Sequence, residues 1–193
     1  MKGKDHTWMI LGVLALAAAV SYYLLEVQGI AQEPGDVAYV WDLEADQIVG
    51  VRVIDHASGS VTALEKAAGA TWRVTEPVPE VAEAAECASL VYALAYMPVH
   101  RTIEDPPEGE LAAYGLITPA YTIEVRVEDG RTIRLQVGAH YPSGSYFARR
   151  EGEQAVILVQ DYAVEDVVRI VEEPPVPEPT PGVPLEGPIL QEP

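Results

Sequence analysis

Cysteine, phenylalanine and basic side chains are scarce in this 193-residue chain, and each scarcity removes a class of answer. The single cysteine, Cys87, excludes an internal disulfide, so core packing and backbone pairing must hold the fold. Cys87 falls on the apolar stripe of an expected helix, where a free cysteine usually acts as a small core hydrophobe. No basic neighbourhood is present there to activate a thiolate. Only 12 Lys and Arg stand against 30 Asp and Glu, for a formal charge of −18. That balance argues against a nucleic-acid partner, because neutralising phosphates takes clustered cations. It also disfavours flat adhesion to an anionic leaflet.

Catalytic and metal-binding spacings are missing as well. The four histidines, at positions 6, 56, 100 and 140, show neither His-x₃-His nor His-Glu-x-x-His. A site made from His56, His100 and His140 would need folding to gather them. Asp42-Leu43-Glu44-Ala45-Asp46 starts like a calcium loop. Gln47 then replaces the turn glycine, and Val53 stands where the last glutamate belongs. There is no Gly-x-Ser-x-Gly elbow and no Gly-x-x-x-x-Gly-Lys loop. The expectation is a non-enzyme with no cofactor and no metal.

What the chain does have begins with an uncharged run from Thr7 to Leu25. Its length suits a helix crossing ~30 Å of hydrocarbon at ~1.5 Å per residue. Lys2 and Lys4 precede it, and the first charges after it are Glu26, Glu33 and Asp36. Positive flanks stay inside, so the N-terminus is expected in the cytoplasm and the bulk outside. Trp8 and Tyr22-Tyr23 suit the two interfaces. A cleaved signal peptide competes, with Ala17-Ala18-Ala19 offering a cleavage site. The apolar run continues past that point through Leu25, which favours an uncleaved anchor. No cysteine directly follows the run, which excludes a lipoprotein anchor.

The expected organisation is a cytoplasmic N-terminus over 1–6, a transmembrane anchor over 7–27 and a stalk over 28–36. An extracytoplasmic domain over 37–171 and a disordered proline-rich tail over 172–193 follow. The tail holds half of the sixteen prolines and too little apolar surface to fold. Within the domain, Ala38–Trp41 reads as a short strand or a plug of the core. Ile48–Ile54 and Val61–Lys66 form a hairpin around Ser58-Gly59-Ser60, with a turn at Gly69. Thr71–Val74 makes a third strand, and Pro77 and Pro79 are expected to stop the sheet. Ala84, Cys87, Ala88, Val91, Leu94 and Ala95 then recur at helical spacing across Glu80–Met97.

After an extended link over 99–103, Glu110–Leu116 reads as one helical turn closed by Gly115. Asp129-Gly130 marks a hairpin between 121–128 and 132–137. Strands at 146–149 and 155–159 and a helix over 162–171 complete the domain. Hairpins followed by a helix thus occur twice, which suggests a duplicated β-rich unit with helices on one face. The fold class expected is α+β, mainly antiparallel hairpins with two principal helices, preceded by the transmembrane helix.

The order of these parts resembles the DUF4340 family of bacterial membrane-anchored proteins. The matching pieces are Val51–Ile54, Thr71-Trp72-Arg73-Val74 before a proline, and a helix. Next come Glu110-Leu-Ala-Ala-Tyr-Gly-Leu-x-x-Pro119, the Asp129-Gly130 hairpin, Val137-Gly138 and Gly144-x-Tyr146. The resemblance spans roughly 37–171 and implies an extracytoplasmic body on one span. Many members look like companions of ABC-type transport systems, which implies an accessory or scaffolding role. The family has no established catalytic residues to carry over. Expected partners are therefore the lipid bilayer, through residues 7–27, and subunits of a membrane complex. Candidate contact loops are Tyr114-Gly115-Leu116 and the loop from Tyr141 to Tyr146, where aromatics and glycines share loops. Capture of a small ligand or cation is the alternative, since −18 concentrates cations near the surface.

Overall fold

Val51 and Val53 are buried, while Arg52 and Ile54, which alternate with them, stay partly exposed. Successive side chains of a strand point to opposite faces, so this stretch gives its sheet one dry side and one wet side. The computed structural model describes residues 37–67 and 71–177. The expected anchor, the stalk, the turn at Gly69 and residues 178–193 lie outside the described residues. Among the described residues, no helix is long and apolar enough to cross a membrane.

The first half is a meander of β1 (Ile48–Asp55), β2 (Val61–Lys66), β3 (Trp72–Glu76) and β4 (Glu80–Val81), closed by helix α1 (Ala84–Ala95). Strand β5 (Val99–Ile103) follows. The second half repeats the scheme with β6 (Tyr121–Val127), β7 (Thr132–Tyr141), β8 (Ser145–Arg150) and β9 (Val156–Gln160), closed by α2 (Asp161–Val168). Among the described residues, the nine strands form one sheet in the order β4-β3-β2-β1-β6-β7-β8-β9-β5, and each pairing is antiparallel. The fold is α+β, a large antiparallel sheet with two helices.

The two meanders join at β1 and β6, with Val51 opposite Val125 and Val53 opposite Ile123. The first strands of the two meanders thus meet antiparallel in the middle of the sheet. Strand β5 leaves the first half and pairs with β9 at the far edge. Its counterpart after α2 is Pro174–Val176, where Pro175 O accepts from Glu83 N at 2.8 Å beside β4. Pro175 is buried and Val176 packs on the core. Packing on the core thus reaches Val176.

The dry face carries register rows such as Val74–Leu64–Val51–Val125–Ile133. Both helices pack on this face. Cys87, Leu90, Val91, Leu94 and Ala95 of α1 and Ala163, Val164 and Val167 of α2 share one core cluster with the strands. The stripe on α1 is rotated from the expected one, since Ala84 and Ala88 are exposed and Leu90 is buried. Larger side chains gain more by leaving water, so leucine takes the inner face. Glu83 caps α1 by accepting from Ala85 N.

Two expectations need correction. Pro77 and Pro79 do not stop the sheet, because β4 pairs with β3 at Val81↔Arg73 and Glu80↔Val74. A two-residue edge strand needs few donors, so flanking prolines are tolerated there. The stretch 99–103 is no free link but the edge strand β5. Ala38–Trp41 behaves as a plug. Val40 and Trp41 are buried, Val40 N donates to Met97 O, and Trp41 Nε1 donates to Leu94 O at 2.9 Å.

That indole bond closes the C-terminal end of α1. Trp41→Phe should lower unfolding free energy by about 0.5–1.5 kcal/mol, the net value of one hydrogen bond, because Leu94 O still accepts from Met97 N. Urea titration should show a shifted midpoint with an unchanged slope.

Candidate functional site

The Glu110–Leu116 turn ends as a helix would. Gly115 N donates to Ala112 O, Leu116 N donates to Leu111 O, and Gly115 has φ +69°. This 6→1 and 5→2 pattern is a Schellman closure, whose left-handed residue is most cheaply glycine. Tyr114 O then accepts from Ala139 N at 2.8 Å, docking the turn on the β7 bulge between Val137 and His140. A Cβ on Gly138 would lie 2.1 Å from Tyr114 O. Glycine at 138 is therefore what permits the contact.

Phe147, the only phenylalanine, collects the aromatic rings. Tyr114 stacks on it at 4.5 Å between centroids, and Tyr141 meets it edge-on at 5.4 Å. The Tyr114 hydroxyl donates to Glu110, and that bond holds its pKa above the usual phenol range. Leu116 is buried, whereas Tyr141 is 42% exposed. Among the candidate residues, Tyr114, Gly115, Leu116 and Tyr141 thus belong to one loop cluster.

Tyr146 sits elsewhere. It neighbours Phe147 in β8, so its side chain faces the opposite side of the sheet and packs against the core. His140 meets its ring edge-on at 4.9 Å, and Asp161 Oδ2 lies 3.7 Å from His140 Nε2. Burial first, then the Glu165 charge, pushes the Tyr146 phenol pKa up. The five candidates therefore do not form one surface. Phe147 and Gly138, which organise four of them, carry no local sequence signal for that role.

The histidines also stay apart. His56 bonds Thr122 Oγ1 at 2.9 Å beyond the end of β1, while His100 lies on β5. Five strand steps separate β1 from β5, roughly 24 Å at the usual spacing. Among the described residues, no group of three or more His, Cys, Asp or Glu could hold a metal ion. Burial, then Glu86 and Glu83, pushes the Cys87 thiol up to about 11.

Two surfaces remain open. On the wet sheet face, the register row Glu76–Ala63–Arg52–Glu124–Arg134 carries ion pairs from Glu76 through to Glu151. Arg52 reaches Glu76 across Ala63, and Arg126 lies over Gly50 to meet Glu65 at 2.8 Å. A small residue under each arginine makes room for it. The second surface is a cleft of about 680 Å³ between α1, α2 and the segment leaving α2. Ala85, Ser89 and Ala93 form one wall, with Leu90, Ile170 and Pro174–Val176 around them. Glu86, Asp166 and Arg169 stand at its rim.

A family model described as a domain of unknown function, DUF4340, matches residues 72–169, just over half the chain. The chain belongs to the DUF4340 family. No curated protein and no solved structure matches it. The DUF4340 match starts at the first residue of β3 and leaves out β1 and β2, although β1 pairs with both β2 and β6 in the middle of the sheet. The folded body is thus larger than the stretch that the family model recognises.

Gly138→Ala should destabilise this DUF4340 chain by about 3 kcal/mol or more, because backbone must move. Gly130→Ala meets open space and should cost only the ~1–2 kcal/mol of a left-handed residue. Parallel thermal melts test that order. Cys87 should resist alkylation at pH 8 until the protein is unfolded. Its folded pKa is raised above 9.0, so its contribution to stability is complete below pH 9 and lost as pH climbs through about 11. Cys87→Ala should flatten that part of the pH–stability curve.

Proposed function

We propose that this DUF4340 chain is a single-pass, membrane-tethered interaction module. Its α+β body stands outside the cytoplasm as an accessory to a membrane complex, with an ABC-type transport assembly as the leading candidate. The observation that carries the reading is the cleft between α1 and α2. Its α1 wall consists of small side chains four residues apart, so a partner segment can approach the helix backbone closely. Leu90 and Ile170 offer apolar contact, and the rim charges offer polar contact around it. Tethering by residues 7–27 would hold the cleft near membrane partners and raise its effective concentration for them.

The expected non-enzymatic role belongs to the same proposal. Capture of a small ligand or cation is the second reading, and it rests on the charge of −18 alone. Heat on titration with divalent cations would favour it.

A photo-crosslinking side chain placed at Ser89 of the full chain in native membranes tests the proposal. Crosslinks to one stoichiometric membrane-complex subunit are expected, and Ser89→Arg should cut recovery of that subunit at least tenfold with an unchanged melting temperature. Equal crosslinking from Ser89 and from Thr132 on the opposite face would overturn it.

A further inference from the structure

Val78, Val81, Ile117 and Tyr162 are large apolar side chains exposed on this body, and exposed apolar residues are ordinary for a protein surface. One group is different. Tyr39, Tyr92 and Tyr96 touch ring to ring, with centroids 5.6 Å apart for Tyr39–Tyr96 and 4.6 Å for Tyr92–Tyr96. Tyr39 remains 43% exposed and Tyr92 64% exposed, so these two rings turn surface to solvent while Tyr96 beneath them packs against the core. The Tyr96 hydroxyl reaches Glu44, which leaves the polar end of that side chain at the surface.

The location of the cluster narrows its partner. Tyr39 is where the chain enters the body, bridging to Pro98 just beyond α1. It follows Leu25, the last residue of the apolar run, by only fourteen residues. That length reaches at most about 50 Å when fully extended. Tyrosine combines an apolar ring with a polar tip and settles at the headgroup level of bilayers. A chain of formal charge −18 is repelled by anionic lipid, which leaves a zwitterionic headgroup layer as the compatible surface.

We infer that the Tyr39–Tyr92–Tyr96 cluster is a docking surface for the zwitterionic phospholipid interface, and that it holds this end of the body against the membrane that anchors it. The inference rests on the tethering reading proposed above. It adds a second, non-covalent contact to the leash. With the cluster on the lipid, α1 lies with its C-terminal end toward the bilayer. The cleft on the same helix then opens beside the membrane.

The test uses the full chain reconstituted in phosphatidylcholine vesicles. Ala88, exposed one turn before Tyr92, is changed to cysteine and labelled with a bimane fluorophore. Cys87 is fully buried, and unsubstituted protein measures any background labelling there. Ala57→Cys, at the opposite end of β1 and roughly 25 Å from Ile48, is the distant control. Flotation is scored first, and loss of co-flotation would sink the tethering reading itself. With flotation intact, spin-labelled phosphatidylcholine should quench position 88 at least threefold more than position 57. Tyr92→Ser with Tyr39→Ser should reduce quenching at 88 to the level at 57 while flotation stays complete. The exposed single variant Tyr92→Ser, which removes no buried group, should lose part of it. Equal quenching at the two positions, or quenching at 88 that survives Tyr92→Ser with Tyr39→Ser, would overturn the docking surface and leave the tether standing.

Discussion

The structure depends on the antiparallel pairing of β1 with β6. These strands are the innermost members of the two meanders, and their register sets every row on both sides of the sheet. With Val51 opposite Val125 and Val53 opposite Ile123, the dry face receives both helices as one core. A slip of one residue would turn these valines to water and the arginines inward. The same register brings Arg52 beside Glu124 and Arg134, so the wet face is organised by the pairing that organises the core.

Energetically, the two faces are unequal. Burial of Val51, Val53, Ile123, Val125, Leu135 and Val137 supplies the main drive, at about 25 cal/mol per Å² of apolar surface. The arginine–glutamate pairs are partly exposed and contribute about 0–1 kcal/mol each. Their greater effect is to specify. Arginines spanning Ala63 and Gly50 fit one register only, which penalises sliding of the central strands.

The repeated order of four strands and a helix organises much of the remaining architecture. Each half ends in a helix, and the segment after that helix is offered to the edge of the other half. In the first half that segment is β5, which has amide donors and pairs with β9. In the second it is Pro174–Val176, whose prolines cannot donate, so one carbonyl contact to Glu83 is what it makes. The cleft lies where this proline segment meets the two helices. The surface proposed for a partner therefore lies where the chain after the second helix differs most from β5.

The sequence by itself determined the strands and helices, because their cause is local. Alternation in Ile48–Asp55 and Tyr121–Val127, positive-φ glycines at 59, 115 and 130, and the apolar repeat of α1 are readable within a few residues. It also exposed the DUF4340 likeness and the repeated hairpin–helix order. Only the tertiary structure decided that 99–103 pairs with β9, that Gly138 receives the Tyr114 turn, and that Tyr146 faces away from Tyr141. Each depends on contacts between residues distant along the chain, such as Tyr114 with Ala139 or Tyr39 with Tyr96. Tyr92 and Tyr96 carry a helical spacing that could have been noticed, but Tyr39 joins them only through the bridge to Pro98. Local preference reaches a few residues along the backbone, while the surfaces that could meet a partner are assembled by pairing across the sheet.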